Sequence, residues 1–124
     1  MLSEAKRPAT FQRRRALFIE ATAILEREYD QKVALDDVAR RVATSRRQLQ
    51  RAFAEAGETS FRSYLQRVRM TRAAQLLRET NAPVNAVASM VGYRQAAQFA
   101  KAFRRHHGAP PSSFRGTLPE RLAA

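Results

Sequence analysis

The chain contains no cysteine and no tryptophan. Without thiols there is no disulfide, no thiolate zinc site, no thiol redox chemistry and no cysteine nucleophile, a composition compatible with a reducing cytoplasm. Chain breakers are scarce as well, with four glycines and five prolines in 124 residues. Combined with abundant Ala, Leu, Arg, Glu and Gln, that scarcity favours helices joined by short connections, and an all-α fold is expected. No apolar run approaches the roughly 18 residues of a membrane span, and Met1 to Thr10 lacks the apolar core of a signal peptide. A soluble, intracellular protein is expected. Acidic residues are also few: 11 Asp and Glu stand against 23 Lys and Arg, for a formal net charge of +12. Such an excess calls for a polyanionic partner, nucleic acid first and anionic membrane second. The hydrophobic content of 44% is too high for a basic disordered tail, and the length fits one domain with one core or two small ones.

What is present is periodic. Phe11, Leu17, Phe18, Ala21, Ile24, Leu25 and Tyr29 recur at spacings of three and four, which predicts an amphipathic helix capped by Thr10 and ended by Asp30-Gln31-Lys32. Arg13, Arg14 and Arg15 fall on or beside its outer face, either solvated or touching phosphate. Leu35, Val38, Ala39 and Val42 form the stripe of a short second helix whose first turn carries Asp36 and Asp37, as the helix dipole favours. Ala34 supplies no side-chain cap there. Ala43-Thr44-Ser45 then reads as a tight turn, with Ser45 capping a third helix whose inner stripe is Leu49, Ala52, Phe53 and Ala56. This is the pattern of a helix-turn-helix. Gly57 breaks it, and Ser60 opens a long helix through Thr80 with Phe61, Tyr64, Leu65, Val68, Ala73, Leu76 and Leu77 on its apolar side.

The pattern then repeats. Leu35, Val38, Ala39 and Val42 recur as Val84, Val87, Ala88 and Val91, each 49 positions later, after a restart at Pro83. Past a turn one residue longer, built on Gly92-Tyr93, Leu49, Arg51 and Phe53 recur as Phe99, Lys101 and Phe103, now 50 positions later. The segments are thus 1–33 (lead and first helix), 34–59 (first helix-turn-helix), 60–80 (linker helix) and 81–124 (second helix-turn-helix and C-terminal helix).

At about 100° per residue, the side of the third helix opposite Leu49 and Phe53 carries Arg47, Gln50, Arg51 and Ala54, with Arg46 on the flank. Arg can bridge guanine O6 and N7, and Gln can bridge adenine N6 and N7, so this face suits major-groove reading. In the second copy the same face carries Ala97, Ala100, Lys101 and Arg104. Small side chains there can touch a thymine methyl but make no bidentate contact, which leaves Lys101 and Arg104 to phosphates. Arg94, Gln95 and Gln98 are weaker candidates, and Gln95 is placed so that it can point inward. A rigid linker helix of about 20 residues, roughly 30 Å, could set two reading helices near one turn of B-DNA apart, roughly 34 Å. One chain would then bind as a monomer to an asymmetric site.

These residues resemble the DNA-binding domain of the AraC/XylS family of bacterial transcription regulators. The likeness runs over residues 35 to 115, and Val91-Gly92-Tyr93, Phe99, Phe103-Arg104-Arg105, Gly108, Pro111 and Phe114-Arg115 carry the family's signature. It implies seven helices, two helix-turn-helix subdomains joined by a long central helix, and a short final helix around Pro111 to Thr117. It further implies sequence-specific promoter binding in the bacterial cytoplasm at the nucleoid, usually to activate transcription through RNA polymerase. By family position, base contacts fall on Arg47, Gln50 and Arg51 in the first reader and on Ala97, Gln98 and Lys101 in the second. Three features depart from the pattern. The glycine after the first reader usually falls one position later, where this chain has Glu58, so the turn from Ala56 to Ser60 is expected to differ. Ala96 and Ala97 stand where polar residues are common. About 34 residues before Leu35 cannot make the effector domain of most members, so the chain reads as a small stand-alone regulator or the DNA-binding part of a larger one.

Other function classes find less support. His106 and His107 are adjacent, about 100° apart on a helix, and no clustered carboxylates complete a metal site. They read as surface or phosphate-adjacent histidines. Asp36 and Asp37 fit the helix dipole better than an acid/base pair, and no Gly-rich phosphate loop occurs. No catalytic residue, metal or cofactor is expected. A membrane-active helical protein would need apolar stripes that the repeated fold already uses inside. The alternative that remains is sequence-blind, architectural binding of nucleic acid, which a specificity ratio separates from a regulator.

Overall fold

Residues 2–115 are described by a computed structural model, in which they form seven α-helices and no strand: α1 (Leu2–Glu28), α2 (Leu35–Arg41), α3 (Arg46–Gly57), α4 (Phe61–Glu79), α5 (Val84–Met90), α6 (Ala96–His107) and α7 (Pro111–Arg115). The all-α architecture with two helix-turn-helix pairs, α2–α3 and α5–α6, is the expected one. The expected final helix is present to Arg115, while Gly116 and Thr117 lie outside the described residues.

Two compact units divide the chain. The first takes the described residues through Glu28 with Val33–Leu65, and the second takes Tyr29–Lys32 with everything described from Gln66 on. In the first, α1 buries Leu17, Ala21, Ile24 and Leu25, α2 buries Val38 and Ala39, and α3 buries Leu49, Ala52 and Phe53. Phe53 has no exposed surface and meets Phe18, Phe61 and Tyr64 edge-on at centroid distances of 5.1, 5.6 and 6.0 Å, the geometry that aromatic quadrupoles prefer. The bidentate pair of Arg41 with Glu28, at 2.8 and 2.7 Å, ties α2 to the end of α1.

The second unit repeats this core. Val87, Ala88 and Val91 of the α5 segment and Phe99, Ala102 and Phe103 of α6 pack with Met70, Ala73, Ala74 and Leu77 of α4. Met70 and Ala74 were not expected inside: the phase of the apolar pattern changes between Val68 and Met70, so one stripe drawn along all of α4 passes them by. Within this unit Arg69 donates from Nε to the Tyr29 carbonyl at 2.8 Å and from Nη2 to the Gln31 carbonyl at 2.9 Å. It also lies over the Tyr93 ring. Burial pushes the Arg69 guanidinium below the ordinary arginine range, yet two carbonyl acceptors hold the charge in place.

Caps and turns follow the sequence closely. Ser45 Oγ accepts from the Gln48 amide at 3.1 Å, Ser60 Oγ accepts from the Ser63 amide at 3.0 Å, and Ala34 gives α2 no side-chain cap. Pro83 stands at the N-cap of α5, one position before its first helical residue. The start of α1 is a correction: the helix begins at Leu2, so Thr10 lies within it and is not its cap. Ala5, Lys6 and Arg7 are good helix formers, and only Pro8 interrupts them. Phe11, expected on the inner stripe, is 47% exposed, because the buried side of α1 starts at Arg14 and Leu17.

Glycine use separates the two copies. Left-handed backbone occurs at Ala43 and Gly92, and again at Glu58 and Gly108, equivalent positions of the two helix-turn-helix pairs. The turn after α3 therefore keeps the left-handed residue expected of the family, but Glu58 occupies it (φ 52°). Gly57 is the last helical residue, and packing explains it: a Cβ there would lie 2.3 Å from the Phe18 ring. At Gly92 (φ 95°) a Cβ would approach the Tyr29 carbonyl to 2.9 Å. Glu58→Gly should therefore raise the unfolding free energy, by about 1 kcal/mol. Gly92→Ala should lower it by at least about 1–2 kcal/mol, since strain and collision add. Urea denaturation of the two variants beside the parent measures both.

Candidate nucleic-acid interface

Burying Leu49, Ala52 and Phe53 fixes the rotation of α3 about its axis, and the opposite side faces out. Arg47, Gln50, Arg51 and Ala54 are all exposed there, and Arg46 is exposed on the flank. All four residues that the sequence marks for contact on this helix, Arg46, Arg47, Gln50 and Arg51, are thus open to solvent. Ser45 holds the N-terminal end of the helix, so the turn carrying Arg46 and Arg47 is fixed at the start.

In the second unit Phe99, Ala102 and Phe103 do the same for α6. Ala97, Gln98, Lys101 and Arg104 are exposed, while Ala100 is half-buried. Gln95, which could have turned inward, is exposed and precedes the helix in extended conformation. Gly108 closes α6, whose last turn is basic through Arg104 and Arg105. The surfaces of α3 and α6 are therefore unequal in the way the sequence implies, with bidentate groups on one and alanine, lysine and arginine on the other.

Two acidic residues at α3 are engaged. Asp36 Oδ1 lies 3.1 Å from Arg46 Nη1, which joins the first turns of α2 and α3. Glu55, on α3 itself, accepts from Arg14 Nη1 with both carboxylate oxygens, at 2.6 and 2.7 Å. Neither pair was foreseen. For Arg14 the signal was present: it falls three and seven residues before Leu17 and Ala21, in phase with the buried stripe, whereas Arg13 and Arg15 fall beside it and are exposed. Of the arginine triplet, one member is thus a structural tie and two are surface cations.

The histidines also part ways. His107 is half-buried rather than on the surface, in phase with Phe99 and Phe103; its Nε2 lies 3.0 Å from the Met70 carbonyl, and its ring packs on Phe103 and Phe114. His106 is exposed, and partial desolvation, then the neighbouring His107 and Arg67, hold its pKa below the ordinary value of 6.5. Among the described residues there is no group of three His, Cys, Asp or Glu able to hold a metal ion. No helix among them is long and apolar enough to cross a membrane.

The profile of the helix-turn-helix domain family matches residues 38–117. The chain belongs to the AraC-type helix-turn-helix family. It is 35% identical over 100 residues to the HTH-type transcriptional regulator GbdR of Pseudomonas aeruginosa, spanning 81% of this chain and 27% of that protein. It is 33% identical over 98 residues to the raffinose operon transcriptional regulatory protein RafR of Pediococcus pentosaceus, covering 79% of this chain and 35% of RafR. The chain thus spans about a third or less of the length of these curated relatives. Among solved structures, it is similar to the DNA-binding domain of the global transcriptional factor AdpA in complex with a target DNA (TM-score 0.78, 25% identity, 84% of this chain and 94% of that one). An AraC-type regulator from Chromobacterium violaceum gives a TM-score of 0.78 at 29% identity, covering 82% of this chain and 90% of that one.

The depressed pKa of His106 has a consequence for this surface. The folded state prefers the neutral ring, so the unfolded chain takes up its proton first as pH falls below about 6.5. Stability should be unaffected by this group above that value and should decline below it, and His106→Asn should flatten that part of the profile. Urea midpoints at pH 7.5 and 5.5 check the sign.

Proposed function

We propose that this chain is a sequence-specific DNA-binding regulator of transcription that places α3 and α6 in major grooves of one duplex. The observation that carries the reading is the outward face of α3, where Arg47, Gln50 and Arg51 are all exposed on a helix fixed from behind by Phe53. These are the groups that make bidentate contacts to guanine and adenine. The net charge of +12 supplies the phosphate attraction that brings any such helix to DNA. The names of GbdR and RafR as transcriptional regulators, and of AdpA as bound to a target DNA, support the same reading.

Within that reading α3 specifies and α6 anchors. Arg47, Gln50 and Arg51 contact base edges, with Arg46 on the flank. Ala97 and Gln98 meet the bases through shape and a single amide, and Lys101 and Arg104 neutralise phosphates. The protein binds as a monomer in the bacterial cytoplasm, at the nucleoid, on an asymmetric site. It acts as an activator through contact with RNA polymerase.

Selection from a random duplex library at near-physiological salt, with competitor DNA, tests the central point. An enriched asymmetric motif of two elements, stronger in one half, is expected; tight binding with no enriched motif would establish sequence-blind binding instead. On the selected site, Arg47→Ala or Arg51→Ala should cost about 1–3 kcal/mol and relax base preference beneath α3. Lys101→Ala should weaken all sequences alike and reduce the salt slope by about 0.9. A sharp change in preferred bases with that variant would instead make α6 a reader.

A further inference from the structure

Resting on the reading that α3 meets DNA, we infer that Asp36 is a specificity-determining residue, a built-in counter-anion that withholds Arg46 from the phosphates of non-cognate DNA. Asp36 sits in the first turn of α2 and reaches across to the first turn of α3, where its Oδ1 is 3.1 Å from Arg46 Nη1. The side chains are 66% and 61% exposed, so the pair adds little to folding. The helix dipole alone does not account for Asp36 either. Its neighbour Asp37 serves the same dipole and pairs within its own helix, with Arg40 at 2.6 Å and Arg41 at 3.8 Å. Asp36 is the one of the two that spends its charge on α3.

The second copy provides an internal control. At the places of Asp36 and Arg46 stand Asn85 and Ala96, and α5 and α6 form the same helix pair without an ion pair there. The fold does not require the interaction, so its consequence lies at the surface. Arg46 is otherwise an exposed cation in the first turn of a helix that carries no acid there. Paired with Asp36, the two groups sum to zero charge, and a phosphate that approaches Arg46 must displace or share a carboxylate. Such an arrangement releases fewer counterions on any sequence and shrinks the sequence-independent part of the affinity. Base contacts by Arg47, Gln50 and Arg51 then make up a larger share of what remains. Asp36 thereby raises the ratio of specific to non-specific binding, the quantity that matters in a genome full of competing sites.

The test is a salt titration of binding by fluorescence anisotropy, with the full chain on two duplexes of equal length, the library-selected motif and a scrambled sequence. Asp36→Asn is close to isosteric and copies the residue present in the second unit. It should bind the scrambled duplex about fivefold tighter, steepen the salt slope by about 0.9, and lower the ratio between the two duplexes. Adding Arg46→Gln to Asp36→Asn should abolish that gain. The inference is overturned if Asp36→Asn leaves slope and ratio unchanged. It is also overturned if the gain survives in the double variant, since the carboxylate would then act through its field on the whole duplex and not through Arg46. Failure of the parent chain to bind either duplex would instead refute the DNA-binding reading, and this inference with it.

Discussion

The complete burial of Phe53 is the constraint on which the first unit depends. With Leu49 and Ala52, this ring turns the inner edge of α3 toward α1 and α2. The angular period of the helix then leaves no choice about which residues face out. Truncating a core phenylalanine costs about 3–5 kcal/mol, a large share of the 5–15 kcal/mol or so that holds a domain together. The same side chain that stabilises the unit therefore aims Arg47, Gln50 and Arg51. Phe99 and Phe103 play this part for α6, and His107 extends their row against Phe114.

A duplicated plan with different local solutions distinguishes the two halves. The second copy puts glycine at both left-handed positions, Gly92 and Gly108, whereas the first accepts Ala43 and Glu58 there. Gly57 next to Glu58 answers a different demand, the approach of the Phe18 ring. Across the helix-turn-helix the first copy carries Asp36 and Arg46, and the second carries Asn85 and Ala96. One unit is thus more strained and more highly charged at its surface, and the other is better relaxed and nearly neutral at the start of its outer helix.

A net charge of +12 says little about which cations are available. Arg14 is committed to Glu55, Arg41 to Glu28, and Arg69 to the carbonyls of Tyr29 and Gln31. These arginines hold elements that are distant in sequence, a role for which the planar fork of the guanidinium is well suited. Among the cations that stay exposed, Arg46, Arg47 and Arg51 stand on α3 and Lys101, Arg104 and Arg105 on α6, on helices whose rotation the inner stripes fix.

Much of this could be read in the residues before any coordinates. The spacing of Leu35, Val38, Ala39 and Val42, repeated 49 positions later, determines two helix-turn-helix pairs, because helical periodicity and turn chemistry act over a few residues. The cap at Ser45 and the outward set on α3 are local in the same sense. Other features depend on partners far along the chain. Whether Arg14 is a surface cation or a tie is decided by Glu55, 41 residues away, and Arg69 by Tyr29, 40 residues away. Gly57 is explained only by Phe18, and the place of Met70 and Ala74 only by the second core. Local sequence determines where helices form and which stripe of each is apolar. Tertiary structure alone decides which long side chains meet, because a flexible, charged side chain takes its partner from whatever the packed core brings within reach.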